Sequence, residues 1–359
     1  MAATSRPTST NAPTGRAMLR DVGSGATWAI AFDVRTAFDF AVSLAREIGE
    51  FDELPAEDRR WLQRSREALP ESLRPMVEDE LSIFGAGLLI DRPEVADAAA
   101  FVELLRNTSG TEFAGIVFAD QLRDPERRDE VAAALDGDAG ARASIIAGWP
   151  EHKHRWVDRL LGDPAGVMGE LVELMAAWLP LYQEIEARVR TVIGRDVDLR
   201  ADDRAALRPV ELIEKTTAGI RWLSEPGVRR VVLAPSLLVR PYNFTFTGGD
   251  WRIFVYPVAD GALEPHDPLA PPAGVLRLHR ALGDDTRLRI LRLLRDKDYY
   301  LTEIAERLEL SKPTIKHHLA QLRAAGLVTL TEEGGLSYYS LRRDRLDDAS
   351  SELKRYLVP

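Results

Sequence analysis

Between Ala259 and Gly274 the sequence reads ADGALEPHDPLAPPAG, with Pro265, Pro268, Pro271 and Pro272 crowded into one polar stretch. Each proline lacks a backbone N–H and clashes with the turn before it, so the stretch excludes a helix interior and a central strand. It reads as a semi-rigid linker over residues 261–273, dividing the 359-residue chain into two unequal folding units, 21–260 and 274–359. Ahead of them, MAATSRPTSTNAPTGRAMLR is rich in Ser, Thr and Pro and lacks the apolar run of a secretory signal, so residues 1–20 read as a disordered tail.

Charge divides at the same place. The formal charge of −10 argues against a nucleic-acid binder when taken whole, because phosphate binding wants a basic surface. From Met1 to Ala273, however, there are 31 Lys and Arg against 44 Asp and Glu, or −13, whereas Gly274 to Pro359 has 16 against 13, or +3. The absence of cysteine removes disulfides, thiolate metal sites and cysteine nucleophiles together. No apolar run reaches the roughly eighteen residues of a bilayer span, so a cytoplasmic protein with no membrane partner is expected.

The first unit reads as α+β and mainly α. TWAIAF has the loose alternation of a strand, and RTAFDFAVSLAREIG places Ala37, Ala41, Leu44 and Ile48 at helical spacing. A long helix is expected from Gly166 to Ile193, kinked at Pro180, with a stripe through Met168, Leu171, Met175, Trp178, Tyr182, Ile185 and Val189. Another helical stretch is expected over 201–224. Beyond it, RRVVLAPSLLVRPYNFTFTGGDWRIFVYPV suggests a small antiparallel sheet with a hairpin at Gly248-Gly249-Asp250. All seven Trp fall in this unit. Met168, Met175, Trp178, Tyr182 and Trp251 are candidates to line a cavity for a small apolar effector, although any core helix carries the same stripe. His152 and His154 do not share a helix face and read as surface. With no GxSxG, P-loop, GxGxxG or HExxH, no catalytic residue, metal or cofactor is assigned and no enzyme is expected. Two alternatives stay open, an enzyme or a protein-interaction module fused to the second unit.

The second unit carries the functional signal. Asp285 can cap a helix with Leu288, Leu291 and Leu294 inward, and a short helix follows from Thr302 with Ile304, Ala305 and Leu308 inward. After a turn at Glu309-Leu310, Ser311 can cap a third helix with Pro313 in its first turn, a buried stripe of Ile315, Leu319 and Leu322, and Gly326 as its stop. This spacing is that of a helix-turn-helix, whose second helix is expected to be the recognition helix. Its outer face carries Lys312, Thr314, Lys316, His317, Gln321 and Arg323, and Ser311 to Ala325 contains no acid. Cations there can meet phosphates, while Thr, His and Gln can reach base edges. LVTLTEE and LSYYSL then form a wing. Arg342 and Arg343 are weaker candidates for phosphate contact. In the last helix, Leu346, Ala349, Leu353 and Tyr356 make an apolar stripe suited to burial against a second subunit.

Through LGDDTRLRILRLL, LTEIAERLELSKPTIKHHLAQLRAAGLV and the YYSL strand, residues 274 to 357 resemble the ArsR/SmtB family of winged-helix repressors. The resemblance implies a homodimer, paired through the first and last helices of this unit, that occupies a double-stranded operator and represses transcription. Ser311, Thr314 and His318-Leu319 stand where the family has its Ser-x-x-Thr and His-Leu, and Lys312, Lys316, His317 and Gln321 occupy its DNA-facing positions. Two departures stand out. YYLTEIAE and RDRLDDASSELKRYL lack the Cys and His of the family's metal sensors, and the wing tip Glu332-Glu333-Gly334-Gly335 is acidic where a basic tip would favour DNA.

Overall fold

The computed structural model describes residues 28–49, 53–78, 81–263, 271–333 and 336–358. The expected tail over 1–20, Pro265, Pro268 and the Gly334-Gly335 wing tip lie outside the described residues, as do the side chains of His152 and Ala349. The chain starts with β1 (Ala29–Phe32) and α1 (Thr36–Val42) and continues through α2 (Ala56–Ala68), α3 (Arg74–Glu78) and a 3-10 segment, Leu81–Asp91. Next come α4 (Ala98–Asn107), α5 (Gly110–Val117), α6 (Pro125–Leu135), α7 (Ala139–Ala147) and α8 (His154–Gly162). They are followed by α9 (Pro164–Gln183), α10 (Glu186–Leu199), α11 (Ala201–Ala206), α12 (Pro209–Thr216), β2 (Ile220–Trp222), β3 (Arg230–Ser236), β4 (Phe244–Thr247) and β5 (Trp251–Pro257). After the proline-rich stretch stand α13 (Ala273–Leu282), α14 (Asp285–Leu294), β6 (Tyr299–Tyr300), α15 (Leu301–Leu308), α16 (Lys312–Ala324), the wing strands β7 (Val328–Glu333) and β8 (Leu336–Leu341), and α17 (Arg343–Leu357). Among the described residues no helix is long and apolar enough to cross a membrane.

The protein is mainly α with two small sheets, as the sequence implies. The sheet of the first unit has the order β1-β3-β5-β4, and its pairing differs from the antiparallel expectation. β1 pairs parallel with β3 and β3 parallel with β5; only β4 and β5, joined across Gly248 to Asp250, are antiparallel. Parallel pairing requires long crossovers, and nearly two hundred mostly helical residues separate β1 from β3. β5 is buried on both faces: Ile253 and Val255 join the large helical core, while Phe254 and Tyr256 join a second cluster with Trp28, Trp222 and Leu233. That explains its almost unbroken apolar run, since a strand covered on both sides has no polar face to alternate with.

The long helix expected over Gly166–Ile193 is two helices. α9 runs through Pro180 without ending, and the break comes at Glu184-Ile185. The helical reading of 201–224 overran: α12 stops at Thr216, and Ala218 (φ 54°) and Gly219 (φ 110°) turn the chain into β2. β2 is the unexpected element. It belongs to the first unit by sequence but pairs parallel with wing strand β7, extending the second sheet to β2-β7-β8-β6.

Four of the five candidate effector-cavity residues are buried in the helical core, and the fifth, Trp251, also borders a surface cleft. Met168, Met175, Trp178 and Tyr182 lie in the helical core, and Trp251 is buried at its sheet edge. The polar atoms of these side chains find partners within the core: Trp178 Nε1 donates to Ser43 Oγ at 2.7 Å, and Tyr182 OH donates to Asp39 Oδ2 at 2.8 Å. A stripe at helical spacing is what either a core or a pocket shows, and Met168, Met175, Trp178 and Tyr182 are part of the core.

Candidate nucleic-acid interface

The helix-turn-helix is assembled by local signals. α15 ends at Glu309, whose φ of 57° is left-handed and lets the chain reverse within two residues. Leu310 N–H donates to Ala305 O at 3.0 Å, closing the turn. Ser311 is the N-cap of α16: its Oγ accepts from Thr314 N–H at 3.2 Å and lies 2.7 Å from Thr314 Oγ1. Ile315, Leu319 and Leu322 anchor the helix in a core shared with Ile290, Leu294 and Ile304.

The helix therefore presents Ser311, Lys312, Thr314 and Lys316 to solvent. His317 and Gln321 are half-buried one turn apart, with the Gln321 amide nitrogen 3.4 Å from His317 Nε2. The orientation of Gln321 is set from behind, because Arg287 Nη1 donates to its Oε1. Arg287 also donates to Ala281 O at 2.7 Å and Arg280 O at 2.6 Å, so one side chain ties α13, α14 and α16 together. Sequence reading missed Arg287; the only local signal was its place three residues after the N-cap Asp284. His318 turns inward. Burial lowers its pKa below 6.5, against the pull of Asp284 Oδ1 at 3.7 Å and with the help of Arg287 and His317. In the wing, Tyr339 is in the core and Tyr338 stacks on Tyr300 with ring centroids 4.1 Å apart.

Residues 284–329, from the cap of α14 into β7, match the family described as bacterial regulatory protein, arsR family. The transcriptional repressor SdpR of Bacillus subtilis is 36% identical over 78 residues, which are 22% of this chain and 87% of that protein. The chain belongs to the ArsR family. The HTH-type transcriptional regulator CmtR of Mycobacterium tuberculosis is 41% identical over 86 residues, 24% of this chain and 73% of that protein. A solved structure of HlyU from Vibrio cholerae, 32% identical, covers 24% of this chain and 95% of its own, with a TM-score of 0.20. The ArsR-family match lies wholly in the second unit.

One expected DNA contact of this ArsR-family helix points elsewhere. Arg323 is only 6% exposed and donates from Nη1 to Thr217 O at 2.8 Å, a carbonyl of the first unit that also accepts from Asn243 Nδ2 at 3.1 Å. Ala320, Leu322 and Arg323 in the last turns of α16 are all buried, so the arginine there reaches protein rather than solvent. Arg343 is exposed and donates to Arg295 O at 2.7 Å; Arg342 is the N-cap of α17 and half-buried.

α17 packs on α13, and together they leave apolar surface uncovered. Leu346 is 37% exposed, Tyr356 42% and Leu276 of α13 37%, while Leu353 is half-buried. Elsewhere, a cleft of about 1220 Å³ opens between Asp120, Arg123, Glu225, Gly248 and Trp251 of the first unit.

Proposed function

We propose that the protein is a cytoplasmic repressor that binds an inverted-repeat operator as a homodimer, its first unit serving regulation rather than catalysis. The observation that carries this reading is the acid-free, Ser311-capped N-terminal half of α16, which holds Lys312, Thr314 and Lys316 out to solvent in a family of regulatory proteins. The N-terminal residues of a recognition helix are the ones that meet base edges. Support for the dimer comes from the exposed leucines of α13 and α17, since a unit of this size gains little by leaving such a stripe in water. A two-fold axis through that surface sets two recognition helices about 34 Å apart, one helical turn of DNA, which makes the operator palindromic. SdpR is a transcriptional repressor, whereas HlyU of Vibrio cholerae is a transcriptional activator, so the sign of regulation rests on promoter geometry.

The test is a salt titration of binding to a duplex selected from a randomised library. Replacing Lys312 with Ala removes one phosphate partner per protomer, and the slope of log K against log salt falls by about one unit for each. A slope unchanged from the wild type would remove Lys312, and with it this face of α16, from the interface.

A further inference from the structure

The first unit is docked on the DNA-reading helix itself. Lys316, Ala320 and Arg323 are spaced by four and three residues and so lie on one stripe of α16. Each meets the first unit: Lys316 Nζ is 3.7 Å from Glu47 Oε1, Ala320 packs on Tyr242, and Arg323 donates to Thr217 O. Beside the helix, β2 covers the edge of wing strand β7, with Ile220, Arg221 and Trp222 in register with Leu330, Thr331 and Glu332. Leu330 N–H donates to Gly219 O at 2.8 Å. At the far end of the junction, Arg277 of α13 is clamped by Glu53 and Asp260, and Asp260 also pairs with Arg240. Burial pushes the Asp260 carboxyl up, but Arg240 and Arg277 more than offset it and hold it down to about 2.

An α-helix with its side chains is about 10–12 Å across, and the major groove it enters is about 12 Å wide. A helix seated there has groove wall, and so phosphate, against both flanks. On one flank of α16 the space is already taken by an acidic unit, with 28 Lys and Arg against 42 Asp and Glu over residues 21–260, beginning at Lys316. We propose that this arrangement is a closed state: the first unit latches the recognition helix and wing through the β2–β7 pairing and the Thr217–Arg323 bond, and specific DNA binding requires the latch to open. The inference rests on the DNA-binding reading above and deepens it by naming how that site is regulated.

The chain has no cysteine, so a pair introduced across the latch is its only disulfide. Arg221 and Thr331 are register partners on neighbouring parallel strands, about 4.8 Å apart, within the roughly 4.4 to 6.8 Å that a disulfide bridges. Neither belongs to the proposed DNA face. In the full-length R221C/T331C protein, oxidation is expected to weaken binding to the library-selected duplex by about tenfold or more, and reduction to restore it. Gly219→Val works in the other direction. Gly219 has φ 110°, and a Cβ there meets Val328 O at 3.2 Å, so the wedge at the start of β2 is expected to open the latch and raise affinity. Cross-linked protein that binds within about twofold of its reduced form overturns the latch. Failure of both the reduced and oxidised forms to select any duplex overturns the DNA-binding reading itself, and the latch falls with it.

Discussion

His318 sits beside the exposed residues of α16, yet its ring is turned toward the core, and its environment sets a pH response. Burial keeps it below 6.5, so it stays neutral in the folded protein at a pH where the unfolded chain has begun to take up a proton. A group that binds fewer protons when folded makes stability rise with pH through that range and fall as pH drops below 6.5. Between about pH 6.5 and pH 5, the wild type is expected to lose melting temperature faster than a His318→Gln variant, whose side chain cannot titrate. Parallel melting curves would count against the assignment. At this scale the sequence was most legible where the partner is local. The Ser311 cap, the inward Leu319 and the outward Lys312 follow from positions within one or two turns. Arg323 was not legible, because its acceptor is a carbonyl 106 residues away and an arginine can bury its stem as readily as expose it.

Among the elements, α17 carries the apolar stripe proposed as the subunit contact. The stripe runs through Leu346, Ala349, Leu353 and Tyr356, of which Leu346 and Tyr356 are exposed, as is Leu276 of α13. An aspartate at Leu346 puts a charge into the proposed subunit contact without emptying the core of the protomer. Leu346→Asp is therefore expected to sediment as a monomer that still folds, with a melting temperature that no longer depends on protein concentration, and to bind the selected duplex more weakly because one half-site is lost. A dimer that survives the substitution would place the subunit contact elsewhere. Other elements were hidden for physical reasons. α9 absorbs Pro180 because neighbouring helices hold it in place, so the strongest breaker in the segment is not where the chain breaks. β2 is three residues long, too short for any period, and its pairing partner lies across the linker.

For the whole molecule, the proline-rich stretch and the charge division suggested a tethered pair of independent units, and the structure joins them instead through a shared sheet and a buried junction. Composition can reveal that one part is acidic and another weakly basic, but not that the acidic part lies along the flank of α16, the proposed recognition helix. The junction ties two measurements to one quantity. If the open state makes up a fraction f of the protein, the apparent DNA affinity is reduced by that fraction. The amide of Leu330, bonded to Gly219 O in the closed state, exchanges with solvent in proportion to the same f. Saturating DNA should therefore speed exchange at Leu330 while leaving the core amide of Leu319 protected. For an open fraction of about one per cent the acceleration is about a hundredfold. The gain in affinity produced by Gly219→Val has the same ceiling, 1/f, because an already open protein has nothing further to release. Exchange at Leu330 that slows on DNA binding, or an affinity gain beyond the acceleration seen by exchange, would mean that DNA is read with the two units still joined.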